Sequence, residues 1–282
     1  MVTQTKVRIN KYIAQSGVAS RRKADELIKD GQVRINGQLV KDLGVLVDPS
    51  RDSVKVGRKL IKPVNKFVYY KFNKPTSVLS TVNDPEDRKT VMNYFMGIQE
   101  RIFPVGRLDW DSEGLLLLTN DGEFAQKVAH PSQKIPKTYL VKVAGNITDQ
   151  KLQKLRNGVT IPGGRVQAIL VEKVPNKDSK YQWLKIIIAE GKNRQIRYMM
   201  EKIDCDVKKL QRVAIGMLKL GKLKKGQYQQ LSDEQVEKVF YKFKPQKLVQ
   251  TPKRKKKVVK KKKKTQNVLS KKEFFKRINK NK

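Results

Sequence analysis

Four consecutive leucines, Leu115 to Leu118, stand between Gly114 and the turn-forming triplet Asn120-Asp121-Gly122. A run this apolar must be buried, and its length and flanks suit a buried strand or a short buried helix. Just upstream, residues 106–113 read GRLDWDSE, so a carboxylate, Asp109, follows a basic residue, Arg107, on a loop that feeds the core segment. A lone Asp in a turn is ordinary. A carboxylate beside an arginine on a loop that feeds a buried element is also what a strained catalytic loop looks like, so Asp109 stands between an ordinary turn residue and a candidate for chemistry.

The chain has 282 residues, enough for two domains and a tail. It carries 64 Lys and Arg against 26 Asp and Glu, a formal charge of +38 that seeks polyanions. Anionic membrane is the rival partner, but the longest apolar runs fall far short of the roughly 20 residues of a spanning helix. The opening MVTQTKVRIN also lacks the apolar stretch of a signal peptide, so a cytoplasmic protein is expected. Cys205 is the only cysteine and His130 the only histidine, and neither has metal-ligand spacing. A Ser-His-Asp arrangement would have to recruit His130, which precedes a proline in a polar segment. There is no phosphate loop of the Gly-x-x-x-x-Gly-Lys type. Carboxylate chemistry without a cofactor remains.

Composition and periodicity divide the chain into residues 1–62, 63–241 and 242–282. In the first part, Ile9, Tyr12 and Ile13 keep helical spacing, and Ser20 is placed to cap a second helix carrying Ala24, Leu27 and Ile28 and ending at Gly31. Asn36-Gly37 between alternating apolar residues predicts a hairpin. Arg21, Arg22 and Lys23 open the second helix, where free N–H groups and the helix dipole already favour a phosphate. The second part has α+β character, with strands expected at FVYYKF, KTYLVKVAG, RVQAILVEKV and QWLKIIIAEG, and helices around EFAQKVAH and NRQIRYMMEKI. Runs of strands with interspersed helices predict a mixed, largely antiparallel sheet. The third part holds 19 Lys and Arg and one acidic residue, Glu273, with little to bury. It is expected to be disordered when free and to attract RNA nonspecifically. Phe274, Phe275 and Ile278 could share one side of a short helix on a partner.

Two helices, a small sheet and the basic triplet resemble the S4 RNA-binding module, over essentially all of residues 7–62. GRLDWDSEGLLLLTNDG, KTYLV, EGKNRQIRYMM and LQRVAIGMLKLGKLKKG, in that order, resemble the signatures of the RsuA-type pseudouridine synthases, which isomerise uridine in ribosomal RNA. The resemblance implies that Asp109 is the catalytic carboxylate, that Tyr139 lies in the base pocket, and that Arg197 is the ionic partner of Asp109. It further implies that Arg107 helps occupy the space of the flipped base, while Lys192 and Arg194 contact backbone phosphates. NRQIR and the basic tail look closer to members acting on the large-subunit rRNA than to those acting on the small subunit. Two departures stand out: Thr76-Ser77 replaces a common Lys-Gly pair, and Tyr198 follows Arg197 where a second basic residue is usual.

The implied reaction breaks the C1′–N1 glycosidic bond, turns the uracil and rejoins it through C5. It needs neither redox cofactor nor energy source, in keeping with the missing motifs. It does need a carboxylate at the sugar or the base, and a pocket for an extruded nucleotide. The expected partner is ribosomal RNA or a precursor particle, bound by a monomer. A noncatalytic S4-type assembly factor is the rival from another class, and an unspecialised polycation acting as RNA chaperone is a third.

Overall fold

The computed structural model describes residues 6–175 and 180–241. The basic tail and its Phe-rich segment therefore lie outside the described residues.

In the N-terminal part, β1 (Val7–Arg8) runs into α1 (Ile9–Gln15), followed by α2 (Arg21–Lys29) and the hairpin of β2 (Val33–Ile35) and β3 (Gln38–Leu39). Next, β4 (Leu46–Val47) pairs with β1, and β5 (Val54–Val56) and β6 (Lys59–Ile61) complete a four-stranded sheet in the order β3-β2-β5-β6. Local chemistry accounts for the boundaries. The Ser20 hydroxyl accepts the Lys23 N–H at the start of α2, satisfying a donor that the helix itself cannot. Asn36 and Gly37 have φ of +52° and +85°, as a two-residue turn of the I′ type demands. Ile9, Tyr12, Ile13, Ala24 and Ile28 pack on Val33, Val47 and Val54 to make a small separate core.

The remainder is built on one nine-stranded sheet. Along the chain come β7 (Tyr69–Lys74), β8 (Phe103–Val105), β9 (Glu113–Thr119), α3 (Gly122–Ala129), β10 (Lys137–Ala144) and α4 (Asp149–Asn157). A two-stranded ribbon of β11 (Val159–Ile161) and β12 (Gly164–Val166) follows, then β13 (Leu170–Val174), β14 (Gln182–Ile188), α5 (Gln195–Glu201) and β15 (Asp206–Ile215). Last are β16 (Leu218–Lys219), β17 (Tyr228–Gln230) and α6 (Asp233–Lys238). The sheet runs β13-β14-β10-β15-β9-β7-β17, with β16 beside β15 and β8 beside β9. Among its pairs only β9 with β15 is parallel, so the expected mixed, largely antiparallel sheet is what forms.

The leucine run is a strand, β9, buried along its whole length. Alternation sends its side chains to two cores. Leu116 and Leu118 join Leu152 and Leu155 of α4 and Ile196, Met199 and Met200 of α5, whereas Leu115 and Leu117 join Phe124 and Val128 of α3 and Val239 after α6. Helices thus cover both faces, and burial on both sides explains why the strand reads as unbroken leucine. One expected strand needs correction. RVQAILVEKV is not continuous: β12 ends at Val166, and Ala168 and Ile169 bond Leu155 O and Ile187 O before β13 begins. Those two bonds carry the chain from the ribbon back to the main sheet.

Gly114 fixes how closely β9 and β15 approach. Its φ is +106°, and a Cβ there would lie 2.2 Å from the Arg212 carbonyl oxygen. Only glycine allows that crossing, which brings the Asp109 loop against β15.

Candidate active site

The loop between β8 and β9 is held by its backbone. Lys74, fully buried at the end of β7, donates from Nζ to the carbonyls of Pro75, Asp109 and Ser112 at 3.0, 3.1 and 2.9 Å. Ser112 N–H closes the turn onto Asp109 O at 3.0 Å, and Ser77 N–H reaches Trp110 O at 2.8 Å. The Ser80 hydroxyl both donates to Leu108 O and accepts from Leu108 N–H. These bonds use main-chain groups and leave the Asp109 carboxylate free: among the described residues it has no hydrogen-bonded or ion-paired side chain. Burial pushes Lys74 down to about 8, although Asp109 and Asp111 draw it the other way.

Asp109 lines a cavity of about 300 Å³ with Arg107, Tyr139, Lys192, Arg194 and Arg212. That is the small end of ligand sites and suits one nucleobase. Tyr139 is 7% exposed on β10, opposite Ile186 of β14 and Arg212 of β15. Ile188 and Ile196 supply apolar wall to the same cavity. Arg107 is exposed at the mouth. Lys192 Nζ bonds Gly163 O at 2.7 Å, tying the mouth to the β11–β12 ribbon. Arg194 takes a left-handed conformation, φ +46°, at the start of α5. For a residue other than glycine this costs on the order of 1 kcal/mol or more, a strain typical of functional segments.

Arg197 requires a correction. It was expected to pair with Asp109, but its Nη2 lies 3.0 Å from Oδ1 of Asp111 and donates to Asp111 O at 3.1 Å. Arg194 Nη1 reaches Oδ2 of the same carboxylate at 3.5 Å. Arg197 lies on α5 and Arg194 is the residue just before it, and the first carboxylate they meet is the one two residues beyond Asp109. Arg197 therefore clamps the loop rather than the cavity carboxylate.

Three cavity or support residues escaped the sequence reading: Lys74, Lys137 and Arg212. Lys137 Nζ donates to Ile135 O, and burial, with Arg212 nearby, pushes it down to about 8. Arg212 is 4% exposed; its Nε donates to Leu115 O at 2.7 Å, and its Nη2 is buried with no partner. The available signal was a cation inside an apolar strand pattern, at FNKP and QRVAI.

At the other end, Arg21, Arg22 and Lys23 are exposed at the start of α2. Lys23 pairs with Glu26 at 2.7 Å and Arg21 leans on Asn10 Oδ1 at 3.5 Å. Arg21, Arg22 and Lys11 border a groove of about 800 Å³ whose far wall includes Arg101, Phe103 and Asn120. Among the described residues no helix is long and apolar enough to cross a membrane, and no cluster of His, Cys, Asp or Glu could hold a metal ion.

Comparison with known proteins matches this arrangement. Residues 7–52 match the S4 domain and residues 68–202 match the family described as RNA pseudouridylate synthase. An RNA pseudouridine synthase of Aquifex aeolicus is 40% identical over 83% of this chain and 94% of its own. The ribosomal large subunit pseudouridine synthase B of Bacillus subtilis is 43% identical over 82% of this chain and 95% of its own. A crystal structure of a pseudouridylate synthase aligns with a TM-score of 0.58 and 26% identity, covering 83% of this chain and 99% of that one. The S4 and pseudouridylate synthase matches and the coverage of these relatives run through the same two parts that the fold displays, and the chain belongs to the RNA pseudouridine synthase family.

Proposed function

We propose that the protein converts uridine to pseudouridine at a defined position of ribosomal RNA, in the large subunit. The observation that carries this reading is the convergence of Asp109, Tyr139 and several cations on a cavity the size of one base. The name of the Bacillus subtilis relative supports the choice of subunit.

In this reading Arg21, Arg22 and Lys23 hold RNA by its phosphates, and Lys192 and Arg194 do so at the cavity mouth. Contacts of that kind position a substrate without reading its sequence. The target uridine leaves its stack, at a cost of a few kcal/mol, and enters the cavity lined by Tyr139 and the isoleucines, with Arg107 filling the space it vacates. Asp109 then acts at the glycosidic carbon or at the base, as carboxylates do where C–N or C–O bonds at a sugar are broken. Arg197 serves by keeping the loop in place through Asp111. The chain works in the cytoplasm, where its substrate is made, as a monomer on rRNA or a precursor particle.

The deciding experiment maps pseudouridines in rRNA from cells lacking the gene, then from cells given back wild type or D109A. One large-subunit site lost on deletion and restored by wild type alone is the expected result. Loss of a small-subunit site would move the target, and rescue by D109A would favour the noncatalytic assembly factor. In vitro, D109N should fall by at least about 10³-fold in rate with RNA affinity nearly unchanged.

A further inference from the structure

The charges around the cavity divide into two sets. Arg107 and Arg194 are exposed and Lys192 half-buried at the mouth, where they are open to phosphates outside the cavity. Arg212 lies inside, and half-buried Lys137 lines the cavity near it. Arg212 is 4% exposed, with Nη2 unpartnered, and Lys137 is close enough for the guanidinium charge to weaken its hold on its own proton. The buried carboxylate next along the fold, Glu113, is already taken by Lys209 at 3.1 Å and Lys225 at 2.6 Å. Two cations are thus left facing a cavity whose single carboxylate is Asp109. An uncompensated buried charge is costly, and a fold that keeps one at a cavity wall fits an anion that arrives there.

We infer that Arg212 and Lys137 form an anion subsite for the two carbonyl oxygens of the uracil while it is detached from the sugar. This rests on the pseudouridine synthase reading. When the C1′–N1 bond breaks heterolytically, both electrons leave with the base, and the negative charge spreads over N1, O2 and O4. The sugar carbon is left positive and is matched by Asp109. C5 then gives an electron pair to C1′, the C5 proton departs and N1 takes one up, so nothing is oxidised or reduced.

The geometry of uracil gives the pair a second use. A half-turn about the axis through N3 and C6 exchanges N1 with C5 and O2 with O4. Two cations that face O2 and O4 before the turn therefore face O4 and O2 after it, and the anion keeps both contacts while the reacting atom changes. Donors fixed where charge develops in a water-poor site are among the strongest contributors to catalysis. A phosphate is the other anion that RNA offers, but the mouth cations suit it, and Arg212 is reached only by what enters the cavity.

The test uses full-length wild type, R212Q and K137Q with an unmodified large-subunit rRNA transcript made with uridine or with 5-fluorouridine. Single-turnover consumption of the target nucleoside, RNA affinity by filter binding and melting temperature are measured. R212Q should lose about 10²-fold or more in rate with uridine while RNA affinity stays within about threefold. With 5-fluorouridine the loss should shrink to about tenfold or less, because fluorine itself stabilises the departing base anion. K137Q should show the same pattern in smaller measure, and it decides the matter if R212Q melts early. Equal losses on both transcripts, or a loss confined to RNA affinity, overturn the subsite. Wild type that consumes neither nucleoside overturns the parent reading and this one together; active wild type with undiminished R212Q and K137Q overturns this one alone.

Discussion

Lys74 and Lys137 are lysines that the fold has taken from water, and both are pushed down to about 8 by burial. Their unfolded-state value is the ordinary 10.5. Below about pH 8 both states are protonated, and the penalty of burying the charge is present in full. Between about 8 and 10.5 the unfolded chain holds more protons than the folded one, so stability contributed by these groups rises with pH. Lys74 can be isolated with K74M, which leaves Lys137 in both proteins. K74M should be less stable than wild type throughout, since it loses three carbonyl bonds. The gap should widen by roughly 1–2 kcal/mol from pH 7.5 to 9.5 in urea unfolding. A gap that narrows would mean that folding makes Lys74 hold its proton more tightly than the unfolded chain does, so that its value is raised and not lowered. The sequence shows Lys74 only as a cation at the end of FVYYKFNK, a pattern equally suited to a strand with an exposed end. Its burial depends on carbonyls 35 and 38 positions away, which no local pattern can report.

Elements were more legible than their contacts. Ser20, Asn36-Gly37 and the leucine run carry their structural meaning locally, through a cap, a turn and a buried strand, and each formed where expected. The broken strand at residues 165–174 was not legible, because Gln167 to Ile169 have strand-compatible side chains and the break is imposed by bonds to Leu155 and Ile187. The partner of Arg197 was hidden for a similar reason. Asp109 and Asp111 are two residues apart on one loop, and the register of α5 against that loop decides which one the guanidinium meets. Since Arg197 and Arg194 both meet Asp111, α5 acts as a latch on the loop. D111N and R197Q should each lower the single-turnover rate by about 10- to 100-fold with RNA affinity nearly unchanged, by letting Asp109 drift from its working position. Because both break one latch, the double variant should lose little more than either single one. Fully additive losses would show that Arg197 acts elsewhere, including on Asp109 itself.

At the scale of the molecule, cationic surface runs from α2 across the groove bordered by Lys11, Arg22 and Arg101 and reappears at the cavity mouth. Nearly half of the formal charge, +18 of +38, nevertheless belongs to residues 242–282, with 19 Lys and Arg against Glu273. The two sources of charge should separate by their response to salt. Each phosphate neutralised on single-stranded RNA releases counterions and contributes about 0.7 to the slope of log affinity against log salt. If the terminal segment neutralises about five phosphates, raising salt from about 50 to 200 mM should weaken the full chain roughly 10²-fold more than a chain ending at Tyr241. The shorter chain retains the buried cores on which Asp109, Tyr139 and Arg212 are mounted, so its single-turnover rate on saturating RNA should match that of the full chain. Parallel salt slopes would mean that the terminal lysines do not touch the RNA. A lower rate at saturation would mean that they help to orient the substrate as well as to attract it. The expected result, a change in affinity and salt slope without a change in rate, assigns capture to the terminal charge and chemistry to the cavity.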